Sequence, residues 1–241
     1  MKQVQDAYIV AAVRSPVGKA PRGMFRTVRP DDLLAHALKA ALARTPGLDP
    51  KAIDDVIVGC AIPEAEQGMN VARIGLLLAG LPQSVADVTV NRFCASGLQA
   101  VAMAADRIRL GEADVMIGAG TESMSLIPMG GHKLAINDAV FTRDENVGIA
   151  YGMGMTAEKV AAQWQVSREA QDAFAVESHR KALAGIASGE FAEEIAPYEI
   201  ASRTVDLATH AYRDERRTVS DDEGPRPGTT AEVLAKLPAV F

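Results

Sequence analysis

The sequence has few of the residues that mark several large classes of protein. Only two of its 241 residues are cysteines, so a disulfide framework is excluded and nothing requires an oxidising compartment. No apolar run reaches the roughly 18 residues of a membrane span. The first residues also lack the charged and apolar regions of a signal peptide. We therefore expect a soluble chain with no membrane span and a cytoplasmic location.

Basic and aromatic residues are also scarce. The sequence has 25 Lys and Arg against 31 Asp and Glu, a formal net charge of −6, which argues against general nucleic-acid binding. Aromatic residues make up 5%, yet 48% of the residues are hydrophobic, and this fraction excludes a disordered chain. Much of it comes from 42 alanines, a composition that predicts closely packed helices.

Short apolar runs alternate with amphipathic segments in the first half of the sequence. The runs predict strands and the i, i+3, i+4 spacings predict helices. This alternation is typical of an α/β fold, a sheet with helices on both faces. The predicted strands are residues 7–13, 56–60, 87–90 and 115–119, and the predicted helices are residues 30–42, 71–79 and 94–110.

The pattern changes after residue 119. Residues 120–154 are rich in Gly and Met without periodicity, which predicts a long surface excursion. Two helices follow, with Thr156 and Ser167 as their predicted N-caps. The chain beyond Gly189 is predicted to be polar and irregular, apart from a short helix over residues 231–236. We therefore expect an N-terminal β-α-β core over residues 1–119 and a loop domain, helical and irregular, over residues 120–241.

The residue best placed for chemistry is Cys94. A predicted strand ends just before it, and the cysteine lies in the first turn of the next predicted helix. The free N–H groups and partial positive charge of a helix N-terminus favour thiolate over thiol, and they could hold an oxyanion beside the sulfur. The alternative is that Cys94 is a buried packing residue, as free cysteines often are. Cys60, at the end of a plain strand, is interpreted as packing.

No second catalytic or ligand-binding group stands out. Each histidine is interpreted as a surface residue rather than a base, although His132 lies in the Gly-rich excursion and could approach Cys94. No His, Cys and Asp spacing suggests a metal site, and the glycines do not form a dinucleotide fingerprint. We expect no metal and no permanently bound cofactor. The four histidines are His36, His132, His179 and His210.

Around Cys94 the sequence resembles the thiolases, the acetyl-CoA acyltransferases, and specifically their degradative 3-ketoacyl-CoA type. The resemblance covers residues 8–241, and its motifs occur in the family's order. They are VRSPVG at 13–18, NRFCASG at 91–97, GAGTESMS at 118–125, MGMTAE at 153–158 and QDAFA at 171–175.

The resemblance implies a thiolase-like α/β fold, in which a mixed sheet has helices on both faces and carries an inserted loop region. It implies that Cys94 attacks a 3-ketoacyl-CoA, that acetyl-CoA leaves, and that a second CoA takes the acyl group from the sulfur. The reverse Claisen condensation is the same chemistry. The Cys94 N–H would bind a thioester oxygen, Arg226 would contact the adenine nucleotide of CoA, and Met153 would lie near the acyl and pantetheine end. Coenzyme A would be a substrate.

The resemblance also implies parts that these residues do not contain. A second thiolase half would supply a His that activates the nucleophile, a second Cys and an Asn–water oxyanion hole. We therefore expect little turnover from the 241 residues alone, and an open edge in their sheet. The family implies a homodimer or homotetramer, and a role in fatty acid β-oxidation, in some members within a multienzyme complex.

Two other interpretations stay open against this one. The chain could be a truncated thiolase-like protein that binds CoA or a partner without turnover. A related condensing enzyme of the ketosynthase class is disfavoured, because Cys94 lies in NRFCASG rather than in a ketosynthase style of cysteine motif.

Overall fold

The computed structural model describes residues 4–241. The chain divides into two compact units. The first contains the residues up to His132 together with Ala192–Gly224. The second contains Lys133–Phe191 and Pro225–Phe241. The predicted boundary after residue 119 stays a prediction.

A three-stranded parallel sheet forms the centre of the first unit. Its strands are β1 (Asp55–Gly59), β2 (Ala86–Val90) and β3 (Met116–Gly120), in the order β2-β1-β3. Gly59 is in register with Val90 on one side and with Gly120 on the other, so the three strands end at the same level. The α/β class is confirmed. Over the described residues this sheet is parallel, not mixed as predicted.

Helices cover both faces of this sheet, as predicted. They are α1 (Pro30–Ala43), α2 (Val71–Ala79) and α3 (Ser96–Arg109). Val56 and Val58 belong to the core cluster that includes residues of α1 and α2. Ile57, between them, packs against Ala100 and Ala104 of α3. Successive strand residues point to opposite faces, so the run is apolar throughout because both faces are buried.

Local sequence explains where two of these helices begin and end. Pro30 stands at the first position of α1 and acidic residues follow it, an arrangement that suits the positive end of a helix. Helix α2 ends at Gly80, whose φ of 82° is left-handed and whose N–H caps the last turn. Glycine adopts that conformation without strain.

The predicted strand over residues 7–13 is wrong. Tyr8, Ile9 and Val10 are 77–80% exposed, and within residues 4–241 no strand pairs with them. An apolar run indicates that a segment can be buried, but a strand also needs a neighbour for its N–H and C=O groups. Within residues 4–241, β2 and β3 each pair only with β1, so both edges of the three-stranded sheet are open.

The second unit is mainly helical. Its helices are α4 (Met153–Trp164), α5 (Arg168–Ser188) and α6 (Ala231–Leu234). Ser167 caps α5 as predicted, because its hydroxyl accepts a hydrogen bond from the Ala170 N–H at 3.2 Å. Thr156 is not a cap, since α4 begins three residues earlier with Gly152 as its N-cap. Among residues 4–241 no helix is both long and apolar enough to cross a bilayer.

The prediction of an irregular chain beyond Gly189 is wrong. Strands β4 (Tyr198–Val205) and β5 (Tyr212–Val219) form an antiparallel hairpin in the first unit. Cross-strand ion pairs join Arg203 to Asp214 at 2.6 Å and Arg216 to Glu199 at 2.9 Å. The apolar alternation by which strands are recognised is missing because most of the ribbon is exposed, so charged residues can occupy both of its faces.

One ion-pair cluster fixes the loop that follows residues 7–13. The Arg14 guanidinium donates to both carboxylate oxygens of Asp222, at 2.8 and 2.9 Å, and to Glu194 at 2.7 Å. The Val17 N–H also donates to Asp222. Chiefly through the hydrogen bonds from Arg14, the pKa of the Asp222 carboxyl lies below its ordinary value of 3.8.

We expect Asp222→Asn to lower the free energy of unfolding by about 2 kcal/mol at pH 7, because charge-assisted hydrogen bonds are lost. A lowered folded pKa adds stability above the unfolded pKa, and this stability disappears as the pH falls through the folded value. The difference between wild type and variant should therefore shrink at pH 2–3 in urea titrations. Asp221→Asn is the control, because within residues 4–241 Asp221 accepts only from the neighbouring Ser220 hydroxyl. A difference that does not depend on pH would contradict the prediction.

Candidate active site

A strained turn carries Cys94 between β2 and α3. Phe93, directly before the cysteine, has a φ of 47°, a left-handed conformation that bulky residues rarely adopt. The buried Ser96 hydroxyl holds the turn closed, since it accepts from the Arg92 N–H at 2.8 Å and donates to the Phe93 carbonyl at 2.6 Å. Asn91 adds a third constraint, because its Oδ1 accepts from the Phe93 N–H at 2.8 Å. Such strain persists only where surrounding groups enforce it.

Cys94 lies just before the helix rather than inside its first turn. Helix α3 begins at Ser96 with Ala95 as its N-cap, which corrects the predicted start by two residues. The side chain is exposed, so the packing interpretation of Cys94 does not describe this structure. Among the described residues the Cys94 N–H has no hydrogen-bond acceptor. An accessible thiol thus lies beside a free backbone donor.

Gly59 lets the turn lie directly over the end of β1. A Cβ atom at this position would come within 2.3 Å of the Ser96 carbonyl carbon and 2.5 Å of the Gly97 nitrogen. Both are backbone atoms, so neither can move aside as a flexible side chain would. The absence of a side chain at Gly59 therefore sets how closely α3 approaches the sheet.

Three polar side chains link the ends of the parallel strands. We call them the strand-end network: Gln67, Glu122 and Asn91. Ala61, just after β1, donates its N–H to Glu122 Oε2 at 2.6 Å. The Ala61 carbonyl accepts from Asn91 Nδ2 at 2.9 Å. Gln67 donates to the other oxygen of Glu122.

Sequence reasoning did not single out Gln67, although it is completely buried. It lies in a single 3-10 turn (Ala65–Gln67), and nothing in the local pattern distinguishes it from a surface glutamine. Glu122 and Asn91 were noted only as parts of motifs. A polar residue flanked by apolar and glycine-rich segments is a weak signal, and only the tertiary contacts show the connection.

Cys60, at the end of β1, behaves as predicted for a packing residue. It is 1% exposed and belongs to the core cluster. Burial, with a smaller contribution from the Glu122 charge, raises the pKa of its thiol to about 11. At neutral pH it is therefore a small apolar group rather than a nucleophile.

The two residues expected to bind CoA both belong to the second unit. Met153 is the first residue of α4 and is 56% exposed. Arg226 is exposed, and its backbone N–H donates to His179 Nδ1 at 3.1 Å. Within residues 4–241 its guanidinium forms no ion pair, so it is available to a ligand.

The contacts that the structure shows for the histidines are structural ones. His36 Nε2 lies 3.2 Å from the Ala196 carbonyl, and its ring packs edge-on against Tyr198. His132 is exposed, and its backbone N–H is bound by Glu64. His210 has a φ of 55° at the hairpin turn. In the described part of the chain, no three His, Cys, Asp or Glu residues are grouped to hold a metal ion.

Comparison with known proteins places this chain in a family. The family described as "Thiolase, N-terminal domain" matches residues 7–241. A "3-ketoacyl-CoA thiolase" from Bacillus subtilis is 47% identical over 238 residues, which are 99% of this chain and 60% of the relative. A "Beta-ketoadipyl-CoA thiolase" from Pseudomonas aeruginosa is 42% identical, over 98% of this chain and 60% of that protein.

A solved structure is also similar. The crystal structure of the Bacillus anthracis acetyl-CoA acetyltransferase superposes with a TM-score of 0.81 at 35% identity, covering 100% of this chain and 60% of the other. The chain thus spans about 60% of the length of these relatives. The chain belongs to the thiolase family, whose N-terminal domain its sequence matches over residues 7–241.

Proposed function

We propose that this chain supplies the nucleophile of a thiolytic acyltransferase that cleaves 3-ketoacyl-CoA to acyl-CoA and acetyl-CoA. One observation carries the proposal: Cys94 is exposed on a strained turn beside α3, next to a backbone N–H that has no acceptor within residues 4–241. The printed names of the relatives support the substrate class. Since the chain spans about 60% of their length, the full cycle is proposed for a protein that also has the rest of the thiolase fold.

The proposed cycle has two balanced steps. The Cys94 thiolate adds to the 3-keto carbon, the bond between carbons 2 and 3 breaks, and its electron pair stays on carbon 2. That carbanion takes a proton and leaves as acetyl-CoA, while the acyl group remains on the sulfur. The thiol of a second CoA then loses its proton and attacks the thioester, and Cys94 is released as thiolate. Covalent catalysis of this kind divides one difficult step into two easier ones.

Each described group has a proposed part in this cycle. The free Cys94 N–H could donate to the oxyanion that forms on the attacked carbonyl. The constrained turn would keep the sulfur and this donor in fixed relation. The exposed Arg226 guanidinium would bind phosphate of the CoA nucleotide. Met153 would contact the acyl and pantetheine end of the acyl-CoA substrate. A homodimer or homotetramer, a cytoplasmic location and a role in β-oxidation belong to the same proposal.

Trapping of the acyl-enzyme tests the proposal. We expect acetyl-CoA, added in excess to the purified protein that also has the rest of the thiolase fold, to raise the mass of the protein by one acetyl group at Cys94. Hydroxylamine should remove the group, as expected of a thioester. Cys94→Ala should abolish the adduct, whereas Cys60→Ala should keep it, because the Cys60 thiol is buried and protonated.

The outcome separates the proposal from its alternative. Saturable binding of CoA without any adduct on Cys94 would favour a CoA-binding protein without turnover. An adduct that survives Cys94→Ala would place the acyl group elsewhere and contradict the assigned nucleophile.

A further inference from the structure

The side-chain amide of the buried Gln67 forms three hydrogen bonds. Its Nε2 donates to the Ile62 carbonyl at 2.8 Å and to Glu122. Its Oε1 accepts from the Ser123 N–H at 3.0 Å. These partners fix which end of the amide is oxygen, because a backbone N–H can only donate and a backbone carbonyl can only accept. Gln67 therefore presents a defined donor to Glu122.

Glu122 connects Gln67 to the turn that carries Cys94. It is exposed and is the second residue after the last of β3, and its second oxygen holds the Ala61 N–H. The peptide groups on either side of Ala61 are thus bound by Glu122 and by Asn91. Asn91 in turn binds the N–H of Phe93, the residue with positive φ that precedes Cys94.

We propose that Gln67 and Glu122 are positioning residues that hold the Cys94 turn in its reactive geometry. This inference rests on the proposed role of Cys94. The path runs from the buried amide through Glu122, Ala61 and Asn91 to Phe93. Neither residue touches the sulfur, and their effect is to keep the turn from relaxing out of its left-handed conformation. The stabilisation of a thiolate by a helix N-terminus is local, so a relaxed turn removes it.

The test measures the rate of iodoacetamide alkylation of Cys94 as a function of pH. In Gln67→Leu, which changes no charge, we expect the pH at half-maximal rate to rise by about 0.5 to 1 unit. In Glu122→Gln we expect this pH to rise as well. Both partners of the carboxylate are donors, so in either orientation the new amide places its NH₂ against a donor, the Gln67 NH₂ or the Ala61 N–H, and one hydrogen bond is lost. The sign is informative. Loss of a nearby negative charge by itself would favour the thiolate and lower that pH.

A paired exchange provides the rescue. In Gln67→Glu with Glu122→Gln, the new amide can donate to the carboxylate at 67 and accept from the Ala61 N–H, while the carboxylate at 67 accepts from the Ser123 N–H. We expect the profile of the double variant to return to within about 0.3 unit of wild type, although its thermal stability falls because Ile62 loses its donor.

Two controls separate positioning from general loss of stability. Cys60 is 1% exposed, so it must stay unlabelled in any variant that is still folded. Leu81→Ala removes a core side chain that takes no part in the network, and it should lower the melting temperature without moving the Cys94 profile. An unchanged or downward-shifted profile in both single variants would overturn the proposal, as would failure of the paired exchange to restore it.

Failure of this inference is distinguishable from failure of the proposed function. Alkylation needs no CoA, so the profiles are measured whether or not acetyl-CoA acylates Cys94. A wild type that forms no acyl-enzyme contradicts the proposed function, whereas unshifted profiles contradict only the positioning role.

Discussion

Iodoacetamide should label Cys94 at least about 100-fold faster than Cys60 at pH 7.5 in the folded chain. The two thiols differ in exposure, and burial keeps the Cys60 thiol protonated. Cys94 is exposed, whereas Cys60 is 1% exposed and its pKa is raised to about 11. At pH 7.5 only about one Cys60 in 3,000 is a thiolate, and burial then hinders the reagent further.

Peptide mass spectrometry over a time course measures the two rates separately. Unfolding in urea is the control, since it exposes both cysteines and should bring the rates within about threefold of each other. Equal rates in the native chain, or faster labelling of Cys60, would contradict the assignment of Cys94 as the reactive thiol.

Gly59→Ala should lower the free energy of unfolding by about 3 kcal/mol, at the upper end of the usual cost of overpacking. The added Cβ would lie 2.3 Å from the Ser96 carbonyl carbon and 2.5 Å from the Gly97 nitrogen. Relief requires α3 to move away from β1, so the Cys94 turn is displaced as well. We expect the alkylation rate of Cys94 to change in the same variant.

Gly97→Ala is the matched control for this prediction. It adds the same methyl group inside α3, where a Cβ meets nothing within 4 Å. Alanine is the better helix former, so we expect the free energy of unfolding to rise by about 0.5 to 1 kcal/mol. Urea titrations of both variants measure the two effects. A loss below 0.5 kcal/mol in Gly59→Ala would show that the close approach of α3 does not constrain the fold.

Cys94 could be proposed as the nucleophile from the sequence because its signal is local. A strand, a cysteine and an apolar helix follow one another within about 25 residues, and strand-to-helix turns of this kind are set by short-range periodicity. The helix boundary was misplaced by two residues, because Ser96 closes a turn through Arg92 and Phe93 before the helix begins. Hydrogen bonds of a side-chain hydroxyl within a loop produce no periodic pattern in the sequence.

The segments that were mispredicted depend on partners elsewhere in the chain. Residues 7–13 have the composition of a buried strand, yet Tyr8, Ile9 and Val10 are exposed, since within residues 4–241 no strand pairs with them. The β4–β5 hairpin shows the opposite case, because charged residues form a ribbon where cross-strand ion pairs replace an apolar face.

The sequence by itself therefore determined the α/β alternation, the family and the choice of Cys94 as the proposed nucleophile. These follow from residue order and from interactions between near neighbours. Tertiary structure alone decided that Cys94 is exposed while Cys60 is buried, that Gly59 must lack a side chain, and that Gln67 donates a hydrogen bond to Glu122. The reason is physical: Gly59 approaches Ser96, and Gln67 binds Glu122, from positions more than 30 residues apart in the sequence.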